Sequence, residues 1–119
     1  AFRLFPGRIC LISDALRCCG MPDGMYTLGG QDVFLQNSVA RLADGTIAGS
    51  ATNLYDCMRK AVEFGISREQ AILSATLIPA KAIGREMQIG SISPGRLADF
   101  VVCDEALNRK AVYLSGIRL

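Results

Sequence analysis

One short run, Ile9-Cys10-Leu11-Ile12, is apolar on both sides and ends on Ser13-Asp14. A continuous apolar run with β-branched residues suits a strand buried on both faces, as in a parallel sheet. Such a strand needs neighbours, and the residues that follow do not offer one. Residues 17–50 are rich in Gly and turn signals: Pro22-Asp23-Gly24, Gly29-Gly30, Asn37-Ser38 and Asp44-Gly45. Between the turns, Tyr26 and Leu28 alternate with polar neighbours, and Val33 to Leu35 and Val39 to Leu42 flank Asn37-Ser38. This reads as one or two short hairpins. A lone parallel-type strand followed by hairpins and helices does not close a core. The expected fold class is therefore α/β, with part of its sheet supplied from elsewhere.

The second half changes period. Leu54, Met58, Ala61 and Val62 share one helical face over 53–65, and Gly65 is a good residue to follow the helix. Ser67 to Gln70 forms a capping box, so a second helix starts there and is expected to stop before Pro79, with a further turn over 80–83. From Gly90 onward the pattern is β. Pro94-Gly95 is a turn, Phe100 to Cys103 a short apolar strand, and Ala111 to Leu114 with Ile117 to Leu119 a hairpin about Ser115-Gly116. No internal repeat or low-complexity tract is present. The division expected is 1–89 and 90–119.

Composition narrows the chemistry. The 119 residues contain no His. Imidazole is the commonest metal ligand and the usual general base near neutral pH. Neither a Ser-His or Cys-His pair nor a His-based zinc site can be built from these residues. The net charge of +2 gives no electrostatic footprint for nucleic acid or an anionic membrane. No apolar run approaches the ~20 residues of a membrane span. The five cysteines are odd in number and form no Cys-x-x-Cys pair, which reads as buried or half-buried free thiols in a reducing, cytoplasmic setting. The opening Ala-Phe-Arg-Leu-Phe-Pro, without an initiator Met or a signal-peptide layout, is expected of a segment interior to a longer protein.

Three places invite a functional reading. Asp14 would stand at the carboxyl tip of the first strand, where α/β folds keep their chemistry; there it could pass a proton, or it could simply cap the next turn. Gly45-Thr46-Ile47-Ala48-Gly49-Ser50 is a Gly-rich loop before a helix, able to bring backbone groups close to a ligand, or an ordinary loop and N-cap. Gly90 to Val102 carries no catalytic logic, and Asp99 in it suits a turn or strand-edge acceptor. The scattered basic residues Arg59, Lys60, Lys81, Arg85, Arg109 and Lys110 read as solvated faces.

Over nearly its whole length the sequence resembles the C-terminal part of the N-acetylglucosamine-6-phosphate deacetylases, in the amidohydrolase superfamily. Leu11-Ile12-Ser13-Asp14-Ala15 with Gly20-Met21-Pro22-Asp23-Gly24, Tyr26 and Leu28-Gly29-Gly30 resembles the last barrel strand and the loop after it. Ala40 to Ser50 resembles the substrate loop and is the most specific stretch. Gly90-Ser91-Ile92, Pro94-Gly95 and Ala98-Asp99-Phe100-Val101-Val102 resemble a segment shared across the superfamily, and Ile78-Pro79-Ala80 its helix junction.

The resemblance implies the C-terminal piece of a (β/α)8 barrel, its last strand and helices, with part of a small β-sandwich. It implies metal-dependent hydrolysis of N-acetylglucosamine 6-phosphate to acetate and glucosamine 6-phosphate in amino-sugar metabolism. Asp14 matches the Asp of the family's Thr-Asp-Ala motif, the general base and acid acting on metal-bound water; Ser13 replaces the Thr. Ile47, Ala48 and Gly49 match the loop that contacts substrate. The divalent metal, of zinc or iron type, has no ligand assigned in this chain, because the family's Glu and His ligands precede this segment. The chain alone is expected to be inactive. The implied partners are an amino-sugar phosphate and a second copy in a homo-oligomer, with no nucleic acid and no membrane. Two other readings stand beside it: an amidohydrolase acting on a different amide, and a non-catalytic module that complements a partner chain.

Overall fold

The turns and alternating strands of the first half fold as one meander. A computed structural model describes all 119 residues, Ala1–Leu119. The chain divides into two compact units, residues 12–57 and residues 1–11 with 58–119.

In the 12–57 unit, β1 (Gly24–Leu28), β2 (Gln31–Gln36), β3 (Val39–Leu42) and β4 (Ile47–Ser50) form an antiparallel sheet in that order. Gly29-Gly30 and Asn37-Ser38 are two-residue turns, and all four residues have positive φ. Such turns match the twist of the strands they join. The register pairs Tyr26 with Val33 and Val33 with Leu42, and also Leu35 with Ala40. One face therefore collects the apolar residues. Cys18, Val33, Leu35, Ala40 and Ala51 form the buried cluster, with Leu16, Tyr26, Leu42 and Ala48 packed on it. The Asp23 carboxylate accepts the Asn37 N–H at 3.1 Å through either oxygen, tying the second turn to the start of β1.

The other unit carries most of the helical residues. In α1 (Leu54–Glu63), Met58 and Ala61 are buried, as the period requires. Its end is closed by Gly65 N–H to Val62 O at 2.9 Å and Ile66 N–H to Ala61 O at 3.1 Å, the paired bonds of a Schellman motif. α2 (Arg68–Ala75) is capped by the Ser67 hydroxyl, which accepts from Gln70 N at 3.3 Å. α3 (Leu77–Ala82) follows at once. β5 (Phe100–Cys103), β6 (Arg109–Leu114) and β7 (Ile117–Arg118) form a second antiparallel sheet. Across β5 and β6, the Phe100 and Tyr113 rings stack at 4.6 Å. Asp99 does act as an acceptor, taking the Ser115 N–H at 2.6 Å. No helix is long and apolar enough to cross a membrane.

Four expectations are corrected. Ile9 to Ile12 forms no strand: Ile12 is 76% exposed, and the one regular backbone bond of the stretch runs from Leu11 N–H to Ser74 O at 2.8 Å. A strand exists only through its neighbours, and no strand of the 119 residues pairs with this run. The second helix stops at Ala75, not just before Pro79. Pro79 has no N–H to give the Ala75 carbonyl, so the ladder breaks one turn ahead of it. The Thr76 hydroxyl meanwhile donates to Ile72 O at 2.7 Å. Pro79 then sits in the first turn of α3, where its missing N–H is not needed. The Gly-rich stretch from Ile47 to Ser50 is a strand rather than a loop. Finally, Cys10 and Cys103 are exposed, while Cys18 is buried and Cys19 and Cys57 are half-buried; all five are free thiols.

Candidate functional site

The turn that delivers β4 is fixed by short polar bonds. The Asp44 carboxylate accepts the Thr46 N–H at 2.9 Å, and Leu42 N–H donates to Thr46 O at 2.8 Å. Arg41 Nη1 donates to Gly45 O at 2.8 Å. The hydrogen bonds from Thr46 hold the Asp44 carboxyl below the usual carboxylate range. In the β3–β4 ladder, Ala40 pairs with Gly49 and Arg41 with Ile47. Ala48 is the extra residue of a β-bulge, a device that re-aims the side chains of its strand. Ile47 is 63% exposed, and Gly49 is half-buried. Ala48 packs on the core cluster.

Asp14 meets this strand through its neighbours. Ala15 makes a parallel bridge with Ser50, and Leu16 N–H donates to Ser50 O at 2.8 Å. Two residues further on, Cys18 enters the core. Asp14 itself is exposed, with φ of 49°. A non-glycine residue at positive φ is uncommon, and Asp is one of the few types enriched there. Such conformations gather at functional sites. Beyond Ser50, its hydroxyl accepts Thr52 N–H at 3.2 Å, and Asn53 caps α1 by accepting Asp56 N–H at 3.0 Å. The four residues singled out in the sequence, Asp14, Ile47, Ala48 and Gly49, thus lie on two segments joined edge to edge within one unit. Leu16, which supplies the direct bond, was not among them. An apolar residue next to a turn carries no sequence signal for such a role.

The implied divalent metal does not fit these residues. The chain has no His, and nowhere do three or more of His, Cys, Asp and Glu gather to hold an ion.

The family model described as the amidohydrolase family matches residues 14–117. The chain belongs to the amidohydrolase family. The match begins at Asp14 and takes in both segments of the candidate site. Among its amidohydrolase relatives, the N-acetylgalactosamine-6-phosphate deacetylase of Escherichia coli O157:H7 is 39% identical over 110 residues, covering 92% of this chain and 29% of the relative. The N-acetylglucosamine-6-phosphate deacetylase of Bos taurus is 36% identical over 118 residues, covering 98% and 29%. An N-acetyl-D-glucosamine-6-phosphate deacetylase variant of Mycobacterium smegmatis, solved with N-acetyl-D-glucosamine-6-phosphate, aligns with a TM-score of 0.81 at 36% identity, over 97% of this chain and 31% of that one. The amidohydrolase chain thus spans under a third of the length of these relatives.

Proposed function

We propose that these residues are the C-terminal part of a deacetylase that hydrolyses the acetamide of N-acetylglucosamine 6-phosphate, giving acetate and glucosamine 6-phosphate. The observation that carries the reading is the junction of the Asp14 segment with β4 through Ala15, Leu16 and Ser50. It brings a carboxylate and a half-open backbone strand together on one scaffold. In this reading Asp14 takes a proton from the attacking water as the C–O bond forms. It returns that proton to the sugar nitrogen as the C–N bond breaks. Backbone groups of Ile47, Ala48 and Gly49 hold the sugar, so their side-chain identities matter less than their spacing. The likeness to two named deacetylases and to a substrate-bound deacetylase structure supports the substrate class.

Residues 1–89 would then carry the last strand, substrate loop and helices of a (β/α)8 barrel, and residues 90–119 strands of a β-sandwich. The 9–12 run would become a strand only when flanked. We assign the assembly to the cytoplasm as a homo-oligomer. The 39% identity to the galactosamine enzyme favours a second reading, in which the epimeric N-acetylgalactosamine 6-phosphate is the substrate.

Acetate release by the full gene product, with either epimer, tests both. General acid–base catalysis is worth about 10²- to 10⁴-fold in rate. Asp14→Asn is expected to lower kcat by that order with the metal content unchanged. Wild-type turnover by Asp14→Asn, or no turnover of either epimer by the unaltered protein, overturns the reading.

A further inference from the structure

The contact between the Asp14 segment and β4 is one side chain lying on one bare backbone. A β-carbon built on Gly49 would stand 3.0 Å from Leu16 Cδ2, 3.1 Å from Cγ and 3.2 Å from Cδ1. Contacts that short are tighter than ordinary van der Waals contact, so a β-carbon fits only if Leu16 gives way. The φ of Gly49, 153°, lies at the edge of the region that side-chain-bearing residues rarely adopt. Leu16 is itself half-buried and packs on the cluster of Cys18, Val33, Leu35, Ala40 and Ala51. It is therefore pinned by the core and by the Gly49 surface, with its N–H bonded to Ser50 O. Asp14, two residues upstream, is exposed and sits in the left-handed region.

We propose that Leu16 is a positioning residue for Asp14, acting through its seat on the unsubstituted backbone of Gly49. The proposal rests on the proton-transfer role given to Asp14 above. It assigns Gly49 a second duty beside presenting its backbone to the sugar. A methyl group there would force Leu16 to give by a few tenths of an ångström against the core that pins it, shifting the 14–16 segment on the strand. A misplacement of about 1 Å costs on the order of 100-fold in rate.

The test uses the full gene product and N-acetylglucosamine 6-phosphate, with kcat, KM and the pH–rate profile measured for each variant. Gly49→Ala is expected to lose about 100-fold in kcat. Leu16→Ala combined with Gly49→Ala, which removes the colliding atoms, is expected to rise above Gly49→Ala to about the level of Leu16→Ala alone. Leu16→Ala alone is expected to lower kcat by about 10-fold while KM stays within about 3-fold, because the carboxylate is displaced but the strand is not. Leu16→Met, similar in volume, is expected to hold wild-type kcat. If Leu16→Ala does not fold, Leu16→Val carries the same expectation with a smaller loss. Wild-type kcat and pH profile in the truncated Leu16 variants, or a double variant no better than Gly49→Ala, overturns the proposal. Asp14→Asn separates the two ideas. If it turns over normally, the role of Asp14 and its positioning fall together. If it is inactive while Leu16→Ala and Leu16→Val match wild type, only the positioning role falls.

Discussion

Asp104 closes the loop between β5 and β6 with three bonds. Its carboxylate accepts Asn108 N–H at 2.7 Å, Asn108 Nδ2 at 3.0 Å and Lys110 Nζ at 3.1 Å. The Asn108 backbone and side-chain bonds, followed by Lys110, lower its pKa from 3.8 to about 2. All of these partners favour the charged form, so protonation must break them. The folded pKa is depressed, and the stability it gives is present above about 4 and fades as the pH falls through about 2. Asp104→Asn is expected to lower the unfolding temperature at pH 5 and to make a much smaller difference near pH 2. A gap that stays constant between those pH values would contradict this. The sequence offered no sign of this residue, because both of its partners come from the far side of a loop. Asp99 was legible as an acceptor from its place at the edge of an apolar strand. Asp14 was legible as a candidate, but not its left-handed backbone.

Elements that close within a few residues were the readable ones. The period of Leu54, Met58, Ala61 and Val62 located α1, and the Ser67–Gln70 box located the start of α2. Turn residues located the turns at Gly29-Gly30, Asn37-Ser38, Asp44-Gly45 and Ser115-Gly116, though not the β5–β6 hairpin, nor that the first three turns join four strands in one sheet. The misreadings share a cause: each depends on something distant from the residues concerned. The strand status of Ile9 to Ile12 depends on flanking strands, and the strand status of β4 on its pairing with β3. Packing of the chain after α3 is another distant effect. Gly90 has φ of 90°, and a β-carbon on it would stand 2.8 Å from Ala80 Cβ, 3.0 Å from Leu77 Cα and 3.1 Å from Thr76 O. Two of those atoms are helix backbone and cannot swing aside. Gly84 shares the positive φ but has open space around it. Gly90→Ala is expected to cost about 2–4 kcal/mol, and Gly84→Ala about 1 kcal/mol, by denaturant unfolding. Equal costs would mean that backbone strain alone, and not the seat against α3, fixes this glycine.

Across the whole molecule, what is present and what is missing belong to different kinds of chemistry. The residues proposed to carry the proton and to face the sugar lie together in the 12–57 unit. Histidine is missing from the composition itself, and no three of Cys, Asp and Glu gather in the fold to hold a metal in its place. Half of the ten buried hydrophobic residues are alanines, whereas Ile12, Ile47, Phe64, Met87, Ile92 and Ile117 are each more than 60% exposed. Without such a group of ligands, a polypeptide limited to these 119 residues, given zinc or ferrous ion, is expected to retain no stoichiometric metal and to release no acetate from either N-acetylated amino-sugar phosphate. Metal analysis after gel filtration and an acetate assay check this together. Stoichiometric metal with turnover would show that the Asp14 junction assembles its own centre, and the division of labour drawn from the missing histidines would be wrong.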